Sequence, residues 1–129
     1  MEIMKTVLNT KNAPGAIGPY SQGIKGNGFI FVSGQLPVDP LTGEFASGGI
    51  EAQTEQSIKN ITAILTAAGA TLNDVVKTTV FIQHMDDFGA VNSIYAQYFQ
   101  QDCPARSCVE VAKLPKGALV EIEVIALAK

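Results

Sequence analysis

Short apolar runs, separated by clusters of glycine, proline and asparagine, dominate the hydrophobic pattern of the chain. These runs are rich in β-branched and aromatic residues and are five to nine residues long, which is typical of strands. They predict strands at 21–25, 29–33, 76–82, 106–112 and 119–127. Tight turns are predicted between them, at 26–28, 37–43, 71–74 and 114–117.

Between the second and third predicted strands the hydrophobic period changes to that of a helix. Ile58, Ile61 and Leu65 recur at i, i+3 and i+7, so that one face of a helix would be apolar. This pattern predicts a helix over about 50–68. Gly69 is its natural end, because glycine readily adopts the left-handed conformation that closes many helices.

A second helix is predicted over about 86–100, with Asp86 or Asp87 as its cap and Pro104 blocking its continuation. The element order is then β-rich, helix, strand, helix, strand, strand. This order favours an α+β fold with one mixed sheet and two helices packed on one face. The length of 129 residues suits a single domain, and the other face of the sheet requires a cover.

The composition favours self-association and argues against several classes of partner. Charged residues make up only 16% of the chain, against about 25% in typical soluble domains, so burying surface against further copies is the simplest expectation. The net charge is −3 and no basic cluster exists, which makes nucleic-acid binding an unlikely role. No apolar run is long enough to span a membrane, and no signal-peptide pattern follows Met1, so we expect a cytoplasmic protein.

Candidate chemistry begins with Arg106, the single arginine beside eight lysines. Its planar guanidinium matches a carboxylate with two parallel hydrogen bonds; the alternative is a structural salt bridge. Strand alternation places Cys108 on the same face. The cationic neighbour would lower the pKa of this thiol, whereas the more common role of a free cysteine is that of a small buried hydrophobe. One histidine and two cysteines make no zinc site, and we expect no metal or cofactor.

Glu121 lies in an apolar strand, where partial burial raises the pKa of a carboxyl group and suits it to acid or base catalysis. Alternatively, it faces solvent at a sheet edge. Tyr20 lies in a loop shaped by glycine and proline, either over a pocket or packed on the rim of the domain. Ser33 precedes Gly34, which would allow a ligand to approach the backbone closely. Asn92, on the apolar face of the second helix, either satisfies a backbone group or faces a pocket.

Several segments together resemble the RidA/YjgF/UK114 family across the whole chain. The resemblance is carried by PARSCVEVAKLP at 104–115, VEIE at 120–123, AIGPYSQ at 16–22, SGQ at 33–35, and the order Phe88, Asn92, Tyr95. Each piece alone is weak evidence, but the combination is specific. One departure is Cys103, which occupies a position where an aromatic residue is expected.

The resemblance implies a homotrimer of chorismate-mutase-like subunits, with a central β-barrel and pockets at the subunit interfaces. It also implies a cofactor-free deaminase that hydrolyses 2-aminoacrylate, 2-iminopropionate and related 2-imino acids. Pyridoxal-phosphate-dependent serine and threonine dehydratases release these compounds, and the products are 2-keto acids and ammonia.

By position, the resemblance assigns Arg106 to the substrate carboxylate and Glu121 to the hydrolytic water, with Tyr20 in the same catalytic set. It also implies a set of pocket-lining residues, Ser33, Gly34, Asn92 and Cys108. Three alternatives remain: a regulatory module that binds 2-keto acids without turnover, a ribonuclease, and a chaperone-like holdase.

Overall fold

The computed structural model of the chain describes residues 4–129, which contain six strands and two longer helices. The strands are β1 (Thr6–Leu8), β2 (Gly23–Gly26), β3 (Phe29–Gln35), β4 (Val75–Ile82), β5 (Ala105–Glu110) and β6 (Val120–Leu127). The helices are α1 (Gly49–Ala67) and α2 (Phe88–Tyr98). Three 3₁₀ turns lie at Leu72–Asp74, Met85–Asp87 and Pro115–Gly117.

The strands form one mixed sheet in the order β1-β2-β3-β6-β4-β5. All neighbours are antiparallel except β4 and β5, which are parallel and are connected through α2. The α+β fold with a mixed sheet and two helices is therefore confirmed. The sequence pattern missed β1, whose three residues are too few to show a period of two.

The helices cover one face of the sheet and enclose the hydrophobic core. Along β6, every second side chain is buried, and Ile58, Ile61 and Ile64 of α1 belong to the same core. The inward residues of β6 are Val120, Ile122, Val124 and Ala126. This alternation follows from the two-residue period of a strand that is covered on one side.

The predicted end of α1 at Gly69 is confirmed. Gly69 has a φ of 78°, and its N–H donates to the carbonyl of Thr66 at 3.0 Å. The next N–H, of Ala70, donates to the carbonyl of Leu65 at 2.9 Å. These two bonds form a Schellman motif, which satisfies carbonyl groups at the end of the helix and requires a left-handed residue there.

The prediction that an aspartate side chain caps the start of α2 is wrong. Asp87 occupies the N-cap position, but its backbone is helical, with φ −83° and ψ 0°, and its side chain makes no capping bond. A 3₁₀ turn instead leads directly into the helix. The carboxylate of Glu110, from β5, accepts the N–H of Met85 in that turn at 2.7 Å. The first N–H group of the turn, that of Met85, therefore finds its acceptor on β5.

The second face of the sheet is open in the single chain and carries several large apolar side chains. Phe29 and Phe31 of β3, Val109 of β5 and Leu127 of β6 are between 40% and 47% exposed. Such a surface is larger and more apolar than scattered exposed residues on a monomer, and it is typical of an interface. Neither helix in residues 4–129 combines the length and hydropathy needed to cross a membrane.

Candidate functional site

Arg106 lies on β5 with its guanidinium against α2. Its Nη1 donates to Asn92 Oδ1 at 2.7 Å, and its Cζ lies 4.7 Å from the ring centre of Tyr95 and 5.5 Å from that of Phe88. The spacing of Phe88, Asn92 and Tyr95 along the helix puts all three on one face. Asn92 therefore satisfies a side chain, not a backbone group. Within residues 4–129, no carboxylate forms an ion pair with Arg106, so the salt-bridge alternative is wrong there.

Among the residues that contact the Arg106 guanidinium, Tyr95 is the one held firmly in place. Its side chain is buried, its hydroxyl pairs with Thr78 Oγ1 at 2.9 Å, and its ring stacks on Phe99 with 4.4 Å between centres. Burial raises the pKa of Tyr95 above its ordinary value, although the Thr78 bond and the Arg106 charge oppose this. The ring beneath the guanidinium is therefore neutral and immobile.

Cys108, two residues along β5, is half-buried and packs against the core. Burial raises the pKa of the Cys108 thiol, and the lowering effect of Arg106 is the smaller of the two. The hypothesis of a thiol activated by Arg106 is therefore wrong, and Cys108 is a small apolar neighbour. Across the described part of the chain, no three His, Cys, Asp or Glu side chains come together as a metal site.

Glu121 lies on β6, opposite Phe81 of β4, on the open face of the sheet. Its side chain is half-buried, and burial raises the pKa of its carboxyl group; the nearby charge of Glu123 adds to the effect. The predicted direction of this shift is confirmed. A carboxyl group in this setting exchanges a proton closer to neutral pH than an exposed glutamate, as an acid or base catalyst must.

The carboxylate of Glu121 packs on the backbone at Gly34. A side-chain carbon added at Gly34 would lie 2.9 Å from Glu121 Cδ and 3.2 Å from its Cγ, and closer still to Oε2. The register of β3 against β6 shifts between Val32 and Gln35, which displaces the strand at this point. The group that approaches Gly34 closely is therefore this carboxylate of the same chain.

A cleft of about 560 Å³ opens beside Gly34. Tyr20 lines it and is 51% exposed, and its hydroxyl accepts the N–H of Ile17 at 3.4 Å. Of the two interpretations of Tyr20, the one that places it in the wall of a pocket is therefore correct. Ser33 does not line the cleft; its hydroxyl donates to the carbonyl of Ser21 at 2.6 Å and ties the Tyr20 loop to β3.

Gln22 is a structural residue of the cleft that the sequence pattern did not identify. Its buried side chain accepts the N–H of Thr10 at 2.7 Å. Its Nε2 donates to the carbonyls of Thr10, Ala13 and Pro14 at 3.0, 3.3 and 2.8 Å. One amide thus holds the loop that forms a wall of the cleft. A glutamine beside turn residues carries no sequence pattern that would indicate four such contacts.

Replacing Gln22 by leucine is expected to lower the free energy of unfolding by about 1–3 kcal/mol, because partly buried loop groups lose these hydrogen-bond partners. Urea unfolding followed by circular dichroism measures this. Gln100→Leu is the matched control, since Gln100 is exposed and makes a single bond, to Gln97. Equal stability of the two variants would contradict the role of Gln22.

Arg106 and Glu121 point to opposite faces of the sheet. Arg106 pairs in register with Thr78, which is buried beneath the helices, whereas Glu121 pairs with Phe81 on the open face. The predicted site residues therefore form two groups in one chain. Arg106, Asn92 and Cys108 lie on the helix side, and Tyr20, Ser33, Gly34 and Glu121 lie around the cleft and the open face.

Comparison with known proteins decides the family. A family model described as Endoribonuclease L-PSP matches residues 10–128. Among curated proteins, a mouse protein named 2-iminobutanoate/2-iminopropanoate deaminase is 49% identical over 125 residues, which are 97% of this chain and 93% of the relative. The chain belongs to the RidA/YjgF/UK114 family. The resemblance inferred from the site motifs is thereby confirmed.

Solved structures of Rid-family proteins superpose on almost the whole chain. The conserved Rid protein YyfA from Yersinia pestis is 56% identical, with a TM-score of 0.94 over 97% of this chain and 100% of the other. Escherichia coli TdcF with bound serine is 45% identical, with a TM-score of 0.92 over 96% of this chain and 99% of the other. The fold described above is therefore that of the Rid family.

The contact between Gly34 and Glu121 gives a sharp test in this Rid-family chain. Gly34→Ala is expected to displace the Glu121 carboxylate, because the added carbon would occupy its place. The end of a glutamate side chain moves easily, so we expect stability within about 1 kcal/mol of wild type, whereas the imine hydrolysis that the resemblance implies should fall about tenfold or more. Gly89→Ala, where an added carbon meets nothing within 4 Å, is the matched control. Full activity in Gly34→Ala would contradict a role of the Glu121 carboxylate in that reaction.

Proposed function

We propose that this chain is an imine deaminase that hydrolyses 2-imino acids to 2-keto acids and ammonia without a cofactor. The proposed substrates are 2-iminopropionate, 2-iminobutanoate and their enamine forms such as 2-aminoacrylate, as released by pyridoxal-phosphate-dependent dehydratases. The observation that carries the proposal is the Arg106 guanidinium. It is held by the neutral oxygen of Asn92 and has no carboxylate partner in residues 4–129, so its charge is available to a bound acid.

In the proposed reaction, water adds to the imine carbon and forms a new C–O bond, while the nitrogen takes up a proton. The resulting amino alcohol loses ammonia as its C–N bond breaks, and the oxygen loses its proton to leave a keto group. Arg106 binds the α-carboxylate in two parallel hydrogen bonds. Glu121, with its raised pKa, accepts a proton from the attacking water and returns it to the leaving nitrogen.

Imines of this kind are unstable and hydrolyse in water without a catalyst, so the required acceleration is modest. Positioning of the substrate beside one acid or base group is sufficient for it. In this proposal Tyr20 and Gly34 form the wall of the pocket on the Glu121 side, and Ser33 holds the Tyr20 loop in place. Cys108 lines the Arg106 side without a covalent role, since burial keeps its thiol protonated.

The proposed active form is a homotrimer in which the open sheet faces form a central barrel. The opposite orientation of Arg106 and Glu121 supports this assembly, because a pocket that contains both requires Arg106 from one subunit and Glu121 from another. The apolar side chains on the open face, including Phe31 and Leu127, support it as well. Light scattering is expected to give a mass of about three chains.

A coupled assay tests the proposed activity. A serine dehydratase generates 2-aminoacrylate, semicarbazide traps the free imine, and pyruvate formation in competition with the trap reports hydrolysis. Wild type is expected to divert the imine to pyruvate, while an equal amount of Arg106→Ala does not. If both leave the trapped fraction unchanged, the deaminase proposal is wrong. Calorimetric binding of a 2-keto acid by the inactive wild type would then favour a regulatory binding module.

A further inference from the structure

Two aromatic rings of α2, those of Phe88 and Tyr95, lie beside the Arg106 guanidinium. Its Cζ lies 4.7 Å from the ring centre of Tyr95 and 5.5 Å from that of Phe88, both within the range of cation–π contact. Asn92, between these two residues on α2, accepts one N–H at 2.7 Å. A guanidinium has five N–H donors in one plane, so most of that plane is left free.

Asn92 and the two rings hold the Arg106 cation without neutralising its charge. A carboxylate in place of Asn92 would fix the guanidinium equally well but would compete with an anionic ligand for its N–H groups. Aromatic faces attract the cation and accept none of its in-plane hydrogen bonds. They also shield part of the guanidinium from water, which strengthens the electrostatic attraction to an anion that approaches its remaining N–H groups.

We propose that Phe88 and Tyr95 are positioning residues that hold the Arg106 guanidinium in place, so that its remaining N–H groups bind the ligand carboxylate. This inference rests on the proposed role of Arg106 and assigns the residues that give it its orientation. The two rings contribute differently. Tyr95 is fixed in the core by Thr78 and Phe99, whereas Phe88 is 37% exposed at the start of the helix.

Phe88 is the better residue for a test, because an exposed ring can be removed with little effect on the fold. Phe88→Leu removes the ring, and Phe88→Tyr retains it. Tyr98→Leu is the matched control, since Tyr98 is an aromatic residue of the same helix whose hydroxyl contacts Glu55 of α1 instead of Arg106.

The first readout is the NMR signal of the arginine Nε–H group. Arg106 is the only arginine in the chain, so this signal is assigned without further experiments. We expect the nearby ring currents to shift it upfield in wild type. Phe88→Leu is expected to move it downfield and to broaden it, Phe88→Tyr to restore it, and Tyr98→Leu to leave it in place. A signal that is the same in wild type and Phe88→Leu would overturn the inference.

The second readout is ligand binding, with pyruvate as the probe. Phe88→Leu is expected to raise the Kd for pyruvate and the KM for 2-iminopropionate about threefold to tenfold, with kcat within about twofold of wild type. Phe88→Tyr restores both constants. Unchanged constants in Phe88→Leu, together with an active wild type, overturn the inference and leave the deaminase proposal intact.

The two proposals can therefore fail separately. If wild type binds pyruvate through Arg106 and loses affinity in Phe88→Leu, but hydrolyses no imine, the positioning role is supported and the deaminase proposal is wrong. If pyruvate leaves the arginine signal of wild type unchanged at saturating concentration, Arg106 does not bind the carboxylate and the positioning inference is wrong, whereas the coupled assay decides the deaminase proposal separately.

Discussion

Replacing Arg106 by alanine is expected to lower kcat/KM for 2-iminopropionate about 10²–10³-fold, because a carboxylate loses two charge-assisted hydrogen bonds. Most of the loss should appear in KM, since the carboxylate does not itself react. Initial rates of the coupled assay over a range of imine concentrations measure both constants. Arg106→Lys keeps the charge but lacks the planar fork, and is expected to recover only part of the loss.

The structure provides suitable controls for this prediction. Lys59→Ala removes an exposed cation whose only ion pair in residues 4–129 is with Glu55, one turn away on the same helix, and it should leave kinetics unchanged. Circular dichroism of Arg106→Ala should show the wild-type fold, because the variant loses the Asn92 hydrogen bond and the ring contacts but breaks no ion pair within residues 4–129. A kcat/KM of Arg106→Ala within threefold of wild type would contradict carboxylate binding at this residue.

Replacing Glu121 by glutamine is expected to lower kcat about 10²–10⁴-fold with little change in KM, because the amide cannot accept a proton from water. The side chains have nearly the same shape, so the contact with Gly34 is kept. Glu123→Gln, on the same face of β6 but exposed, is the matched control and should retain activity. Equal activity of Glu121→Gln and wild type would exclude Glu121 as the acid or base.

The pH dependence adds a second signature of Glu121. Burial raises the pKa of its carboxyl group above its ordinary value, so wild-type kcat should fall on acidification through that raised pKa. The residual kcat of Glu121→Gln should lack this acidic limb. A pH profile of kcat for both proteins measures the difference, and an unaltered limb in the variant would assign the titration to another group.

The same raised pKa affects stability in a defined direction. The folded chain binds the Glu121 proton more tightly than the unfolded chain, so the stabilisation is complete below the unfolded pKa of about 4.3. It is lost as pH rises through the folded pKa. Glu121→Gln has no carboxyl group here and cannot lose this stabilisation. Its free energy of unfolding should therefore fall less than that of wild type as the pH rises from the unfolded pKa through the folded pKa. Urea unfolding at several pH values measures this.

Mixing these two variants tests whether the pocket is shared between subunits. An interface site would be intact wherever a chain that keeps Arg106 meets a chain that keeps Glu121. Refolding equal amounts of Arg106→Ala and Glu121→Gln together should therefore restore about a quarter of wild-type activity, if subunits mix at random. Activity that stays at the level of the separate variants would place both residues of a working site in one chain.

Local sequence features predicted the elements of this fold well. The apolar period of Ile58, Ile61 and Leu65 and the glycine at 69 correctly located α1 and its end, because both depend on near neighbours in the chain. The two errors have different causes. β1 is too short to show a period, and the Asp87 cap was replaced by a bond from Glu110, which is distant in sequence.

For the candidate site, too, some properties followed from the sequence and others did not. The sequence by itself determined which side chains have the necessary chemistry: a single arginine on a strand and a glutamate among apolar neighbours, whose pKa burial would raise. It also determined the family through its motifs. Within one strand, alternation determined which residues share a face.

Only the tertiary structure decided how these groups are arranged. The pairing of Arg106 with Thr78 and of Glu121 with Phe81 places the two charges on opposite faces, which depends on register between strands. The Asn92 bond to Arg106, the rings of Phe88 and Tyr95 and the packing of Glu121 on Gly34 likewise join separate elements. Sequence periods describe one element at a time, whereas contacts between elements depend on how the whole core packs.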